Sequence, residues 1–108
     1  MKIEISSKNI ELLPSLTEYI HEKLGTLERH IQKLEMEGEL NLKVHVGRVT
    51  AHHQKGDVFE ASADLQLPKV NLRAEQVNED MHTSIDMIRD ILAQEIEQYK
   101  EKHGEKHS

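Results

Sequence analysis

"FEASADLQLPKVNLRAEQVNEDMHTSIDMI", residues 59–88, changes its apolar period twice, and that change decides the fold. From Phe59 through Ala61, Ala63, Leu65 and Leu67 every second residue is apolar or small, while Glu60, Ser62, Asp64 and Gln66 fill the alternate places. Period two is the mark of a half-buried strand. Pro68 and Lys69 turn the chain, and Val70, Leu72 and Ala74 resume the alternation. Beyond Asn78 the spacing lengthens to Met81, Ile85, Ile88, Leu92, Ile96 and Tyr99, one stripe of an amphipathic helix. Asn78 is the expected N-cap, with Glu79 and Asp80 placed against the positive end of the helix dipole. The stretch therefore reads strand, turn, strand, helix.

Working outward, "LNLKVHV" at residues 40–46 alternates in the same way, with Leu40, Leu42, Val44 and Val46 on one face and Asn41, Lys43 and His45 on the other. Val49 breaks that parity, so Gly47 is the expected site of a bulge, and residues 50–57 read as a polar loop. Ile3 and Ile5 mark a short first strand. Leu16, Ile20, Leu24, Leu27, Ile31 and Leu34 form a 3.6-residue stripe that predicts a helix over residues 14–36, entered at Pro14 and left at Gly38. The order is β-α-β-β-β-α, an α+β fold. Each helix has a single apolar stripe, so both are expected on one face of a four-stranded sheet. At 108 residues the chain suits one domain, here residues 1–102 with a polar tail at 103–108.

Composition removes several functions. The chain has no cysteine, which excludes disulfides, thiolate metal sites and cysteine nucleophiles. No apolar run approaches the ~20 residues of a membrane span, and the start lacks a signal-peptide core, so the expectation is a cytoplasmic protein without a membrane partner. The formal charge of −6 supplies no general pull toward nucleic acid, so any such contact must come from a local patch. With Tyr19, Phe59 and Tyr99 as the only aromatic residues, a base-stacking platform is not expected. The eight histidines include the adjacent His52 and His53 and, in the polar tail, His103 and His107; with no H-E-x-x-H and no Cys/His spacing, no metal is expected. His82 and Asp86 stand one helical turn apart, and two ligands do not make a site. There is no nucleophile elbow around Ser6, Ser7, Ser62 or Ser84 and no glycine-rich phosphate loop, so neither an enzyme, a cofactor nor a small-molecule substrate is expected.

What remains is surface. At ~100° per residue the last helix places Asp86, Asp90, Glu97 and Glu101 opposite its stripe, where solvation accounts for them. Arg89 and Lys100 share one flank; Met87, Ile91, Gln94 and Gln98 form the other, nearly uncharged. The first helix carries a flank of Tyr19, Lys23, Thr26, His30 and Lys33.

The order and the residues together resemble the ribosome hibernation promoting factor family, also called ribosome-associated inhibitor or protein Y. "IEISSKNIELLPSLTEYIHEKLGTLERH" is similar to that family's first strand and helix, including the pair Leu27 and Glu28, and "EDMHTSIDMIRDIL" at 79–92 to the start of its last helix. The likeness runs over residues 1–102 and fits the short form, without a C-terminal dimerisation domain. It implies a fold like that of double-stranded-RNA-binding domains. It further implies a non-catalytic factor that binds the small ribosomal subunit near the decoding centre, blocks translation under starvation and affects ribosome dimerisation. Basic residues of the helices would hold RNA phosphates. Carried onto this chain, that role falls to Lys23, Lys33, Lys100 and Lys102, then to Arg29, Arg89, Arg48 and Lys43, with His30 assisting when protonated. Off the ribosome a monomer is expected. The chain departs from the family where basic positions align with Thr26, Ile91, Gln94 and Gln98. An alternative is therefore a diverged member that binds protein through the uncharged flank.

Overall fold

The computed structural model describes residues 1–50 and 56–102. Its elements are β1 (Lys2–Lys8), α1 (Pro14–Gly25), α2 (Glu28–Ile31), a 3₁₀ turn (Leu34–Glu37), β2 (Asn41–Thr50), β3 (Asp57–Gln66), β4 (Asn71–Asn78) and α3 (Met81–Lys102). The sheet order is β1-β2-β3-β4; β1 is parallel to β2, and the other pairs are antiparallel. A parallel neighbour needs a crossover, which α1, α2 and the 3₁₀ turn supply. Both long helices cover one face, as the apolar stripes require.

The register explains why that face is dry. Ile3, Leu42, Leu65 and Leu72 lie in one cross-strand row, and Ile5, Val44, Ala63 and Ala74 in the next. Over them pack Ile20, Leu24, Leu27 and Ile31 from the first helical region and Ile85, Ile88, Leu92 and Ile96 from α3, all fully buried. Burying one such side chain contributes about 1.5–3 kcal/mol. The small Ala61, Ala63 and Ala74 let α3 lie close on β3 and β4. The other sheet face is polar, with Lys2, Glu4, Lys43 and Glu75 exposed.

Three expectations change. The helix predicted over residues 14–36 ends at Gly25, because the Thr26 hydroxyl donates to the Lys23 carbonyl at 2.6 Å and competes for the backbone acceptor. Bonds then run three residues back, from the Leu27 N–H to Leu24 and from the His30 N–H to Leu27. The tighter turn keeps the stripe in the core but divides the helix. Gly47 is no bulge: the β2–β3 register runs unbroken from Asn41–Gln66 to Thr50–Asp57, and Val49 pairs with Val58 on the outer face. A Cβ at Gly47 would lie 3.2 Å from both the Lys8 carbonyl and the Glu60 carboxylate, so the glycine reflects close approach of β1 and β3. Finally, α3 starts later than predicted. Asp80 caps it, accepting the Thr83 N–H at 2.9 Å and the Thr83 hydroxyl at 2.8 Å, and these bonds hold the Asp80 carboxyl below its ordinary range. Asn78 instead accepts the Asp80 N–H.

Candidate nucleic-acid interface

The first helical region and α3 meet along a polar seam above the core. Its contacts climb both elements together: Tyr19 with His82 and Asp86, Thr26 with Arg89, His30 with Glu97 and Lys100. The two helical runs are therefore parallel, and the same side chains that face each other define the candidate surface.

At its lower end the Tyr19 hydroxyl donates to Asp86 Oδ1 at 2.6 Å. That bond is the main reason the phenol is pushed up to about 12. The ring also meets the His82 ring edge-on, 4.1 Å between centroids. Lys23 Nζ lies 3.7 Å from the same Asp86 oxygen and 5.9 Å from the Tyr19 ring centre. In the middle, Arg89 Nε donates to Thr26 Oγ1 at 2.8 Å and a terminal nitrogen reaches Asp90 at 3.2 Å. At the upper end His30 Nδ1 sits 2.8 Å from Glu97 Oε2, and Lys100 Nζ lies 3.2 Å from that oxygen while donating to the His30 carbonyl at 3.0 Å. Bonds from His30, then from Lys100, hold the Glu97 carboxyl below its ordinary range.

Of the nine residues carried over from the resemblance, the fold brings Lys23, His30, Arg89 and Lys100 into this seam. All four already face an acceptor, and Arg89 and Lys100 are only 19 % and 18 % exposed. Arg29 and Lys33 follow on the exposed side of the first helical region, and Lys102 ends α3 exposed. Lys43 stands on the opposite face of the sheet, and Arg48, at the far end of β2, donates to the Asn9 carbonyl at 3.3 Å. Lys43 is thus not part of one surface with the seam.

By helical position alone Asp86 and Glu97 read as solvated. In the structure they are the acceptors that bind Tyr19, Lys23, His30 and Lys100. A signal existed: charged residues at 86, 89, 97 and 100 match the polar flank at 19, 23, 26 and 30 once the helices are laid parallel. The uncharged flank is placed as expected, with Ile91 packed against the core and Gln94 and Gln98 exposed. Among the described residues no cluster of three or more histidine and carboxylate ligands forms a metal site. His52, His53, His103 and His107 lie outside the described residues. No helix among the described residues is long and apolar enough to cross a membrane.

Residues 3–104 match the family model described as Sigma 54 modulation protein / S30EA ribosomal protein. The chain is 28% identical over 109 residues to a ribosome hibernation promotion factor of Lactococcus lactis subsp. cremoris, covering 98% of this chain and 53% of that protein. It is 29% identical over 106 residues to one of Staphylococcus aureus, covering 98% and 52%. The chain thus spans about half the length of these curated relatives. Among solved structures, the Thermus thermophilus Protein Y N-terminal domain superposes with a TM-score of 0.72 at 25% identity, covering 92% of this chain and 99% of that one. A ribosomal subunit interface protein from Coxiella burnetii gives 0.75 at 19% identity, over 94% and 99%, a likeness of fold.

Proposed function

The chain belongs to the Sigma 54 modulation protein / S30EA ribosomal protein family, and from that premise we propose that it is a non-catalytic, ribosome-binding stress factor of the cytoplasm. In this reading the domain of residues 1–102 occupies the decoding region of the small subunit, keeps messenger and transfer RNA out, and so silences translation and modulates ribosome dimerisation. The observation that carries it is the match of nearly the whole chain to about half of two proteins named for ribosome hibernation, together with the shared fold of the Protein Y N-terminal domain.

The surface supports a weak, shape-led hold. Phosphate contacts contribute affinity through release of counterions. Lys23, Lys33, Lys100 and Lys102 carry the contact in this reading, with Arg29, Arg89 and His30 assisting, and RNA oxygens replace Asp86, Glu97 and the His30 carbonyl as acceptors for the seam cations. Polar groups and backbone amides add positioning bonds to phosphate and sugar. RNA duplexes are recognised largely by shape, which this scaffold keeps.

The test is cosedimentation with purified small subunits as salt is raised. Lys23→Glu with Lys33→Glu is expected to abolish pelleting at low salt, and Ile91→Lys with Gln94→Arg and Gln98→Lys to extend it to higher salt. No pelleting by the parent even in dilute buffer overturns the reading. A salt-resistant protein partner recovered instead would favour the alternative of a protein-binding regulator.

A further inference from the structure

β4 ends the sheet, so one side of its backbone has no strand partner. The 2.9 Å turn bond from the Leu67 N–H to the Val70 carbonyl sets the antiparallel alternation. Leu72, Ala74 and Gln76 then bond to β3, and the N–H and C=O groups of Asn71, Arg73, Glu75 and Val77 point outward. α3 runs back along this edge: Ser84 bonds to Phe59, whose β4 partner is Asn78, whereas Glu95 lies by Asn71, Leu72 and Arg73 at the other end.

Between strand edge and helix lies a groove of about 630 Å³, a size typical of ligand sites. Val70 (42 % exposed), Leu72 and Tyr99 give it an apolar floor. Lys69 and Lys102 flank its end, and neither has an ion-pair partner among the described residues. Glu95 lines the groove beside the Arg73 backbone. Desolvation raises the Glu95 carboxyl above its ordinary range, so the setting is partly dry.

We propose that this groove binds an extended C-terminal segment of a partner protein as a fifth strand antiparallel to β4, with its terminal carboxylate between Lys69 and Lys102. Main-chain bonds to an exposed edge give such sites affinity, and pockets for alternate side chains give selectivity. The antiparallel direction follows from the charges, since it brings the incoming C-terminus to the Asn71 end, where the two lysines stand. Alternate apolar side chains then rest on Val70, Leu72 and Tyr99. A peptide fits better than RNA, because Glu95 sits inside the groove and the Arg73 guanidinium is held by Asp64 at 2.6 Å. Lys102 is shared with the surface assigned to RNA, whereas Lys69 lies outside it, so Lys69→Glu tests the groove separately from ribosome binding.

The probe is a pool of random heptapeptides displayed with free C-termini and selected on the full chain. The enriched peptide, labelled at its N-terminus, is measured by fluorescence anisotropy and mapped by amide shifts. The expected result is micromolar binding that shifts Asn71, Arg73, Glu75 and Tyr99, falls at least tenfold when the peptide C-terminus is amidated, and falls as much in Lys69→Glu. Amide spectra of Lys69→Glu verify its fold. Enrichment without dependence on the free carboxylate, or shifts elsewhere, overturns the proposal. So does a hexauridylate that binds the groove where the peptides fail.

Discussion

Replacing Asp86→Asn together with Glu97→Gln keeps both side-chain shapes and their hydrogen-bond acceptors while removing the two charges that hold the seam cations. The Lys23–Asp86 pair is 3.7 Å long with both side chains more than 40 % exposed, so its loss costs the fold at most about 1 kcal/mol. The consequence for binding is larger. Each lysine released to a phosphate steepens the fall of log affinity with log salt by about 0.9, the value for a B-form duplex. Lys23 is freed outright; Lys100 loses Glu97 but keeps the His30 carbonyl at 3.0 Å. The slope should therefore steepen by about 0.9 to 1.8, which over a fourfold rise in salt changes the variant-to-parent affinity ratio by about 3- to 12-fold. Small-subunit binding followed by sedimentation from about 50 to 200 mM salt reads this directly. The control Glu18→Gln with Glu101→Gln makes the same change in net charge at exposed sites that hold no seam cation, and its slope should match the parent. Parallel lines for the seam variant and the parent would refute the idea that internal carboxylates restrain the RNA grip.

Ser84 is fully buried and its hydroxyl donates to the Phe59 carbonyl at 3.0 Å; Ser84→Ala should cost about 1 kcal/mol in urea unfolding. Leu92→Ala, at a fully buried position between α3 and the sheet, should cost about 2–5 kcal/mol in the same assay. Tyr19 should ionise at about 12 in an absorbance titration, against an ordinary value of 10.0. Its folded value is the raised one, so its stabilisation is complete below pH 10 and lost as pH climbs through the folded midpoint. Glu97 has the opposite sign: its carboxyl is depressed, so its contribution is present above the ordinary carboxylate range and disappears as pH falls through the folded midpoint. Carboxyl-detected NMR should place that midpoint higher in His30→Gln.

Element type and order were legible in the chain because apolar period is a local property: alternation at 59–67 and 70–74, helical spacing at 81–99, and the stripe from Leu16 to Leu34 each need only a few neighbours to be read. Local chemistry misled where two local rules competed. The Thr26 hydroxyl overrode the stripe around it, and Asp80, not Asn78, won the cap because its carboxylate reaches two donors on Thr83. The same-face placement of the helices also followed from sequence, since one apolar stripe on each leaves only one dry arrangement. The state of the basic residues did not follow. Lys23, His30, Arg89 and Lys100 look like free cations along the chain, and only the parallel packing of two segments more than sixty residues apart sets them against Asp86, Thr26, Glu97 and a backbone carbonyl. The β4 edge groove is likewise tertiary, made where a strand without an outer neighbour meets the returning helix. Periodicity travels with the backbone, but which charge meets which depends on distances that exist only after the helices have docked.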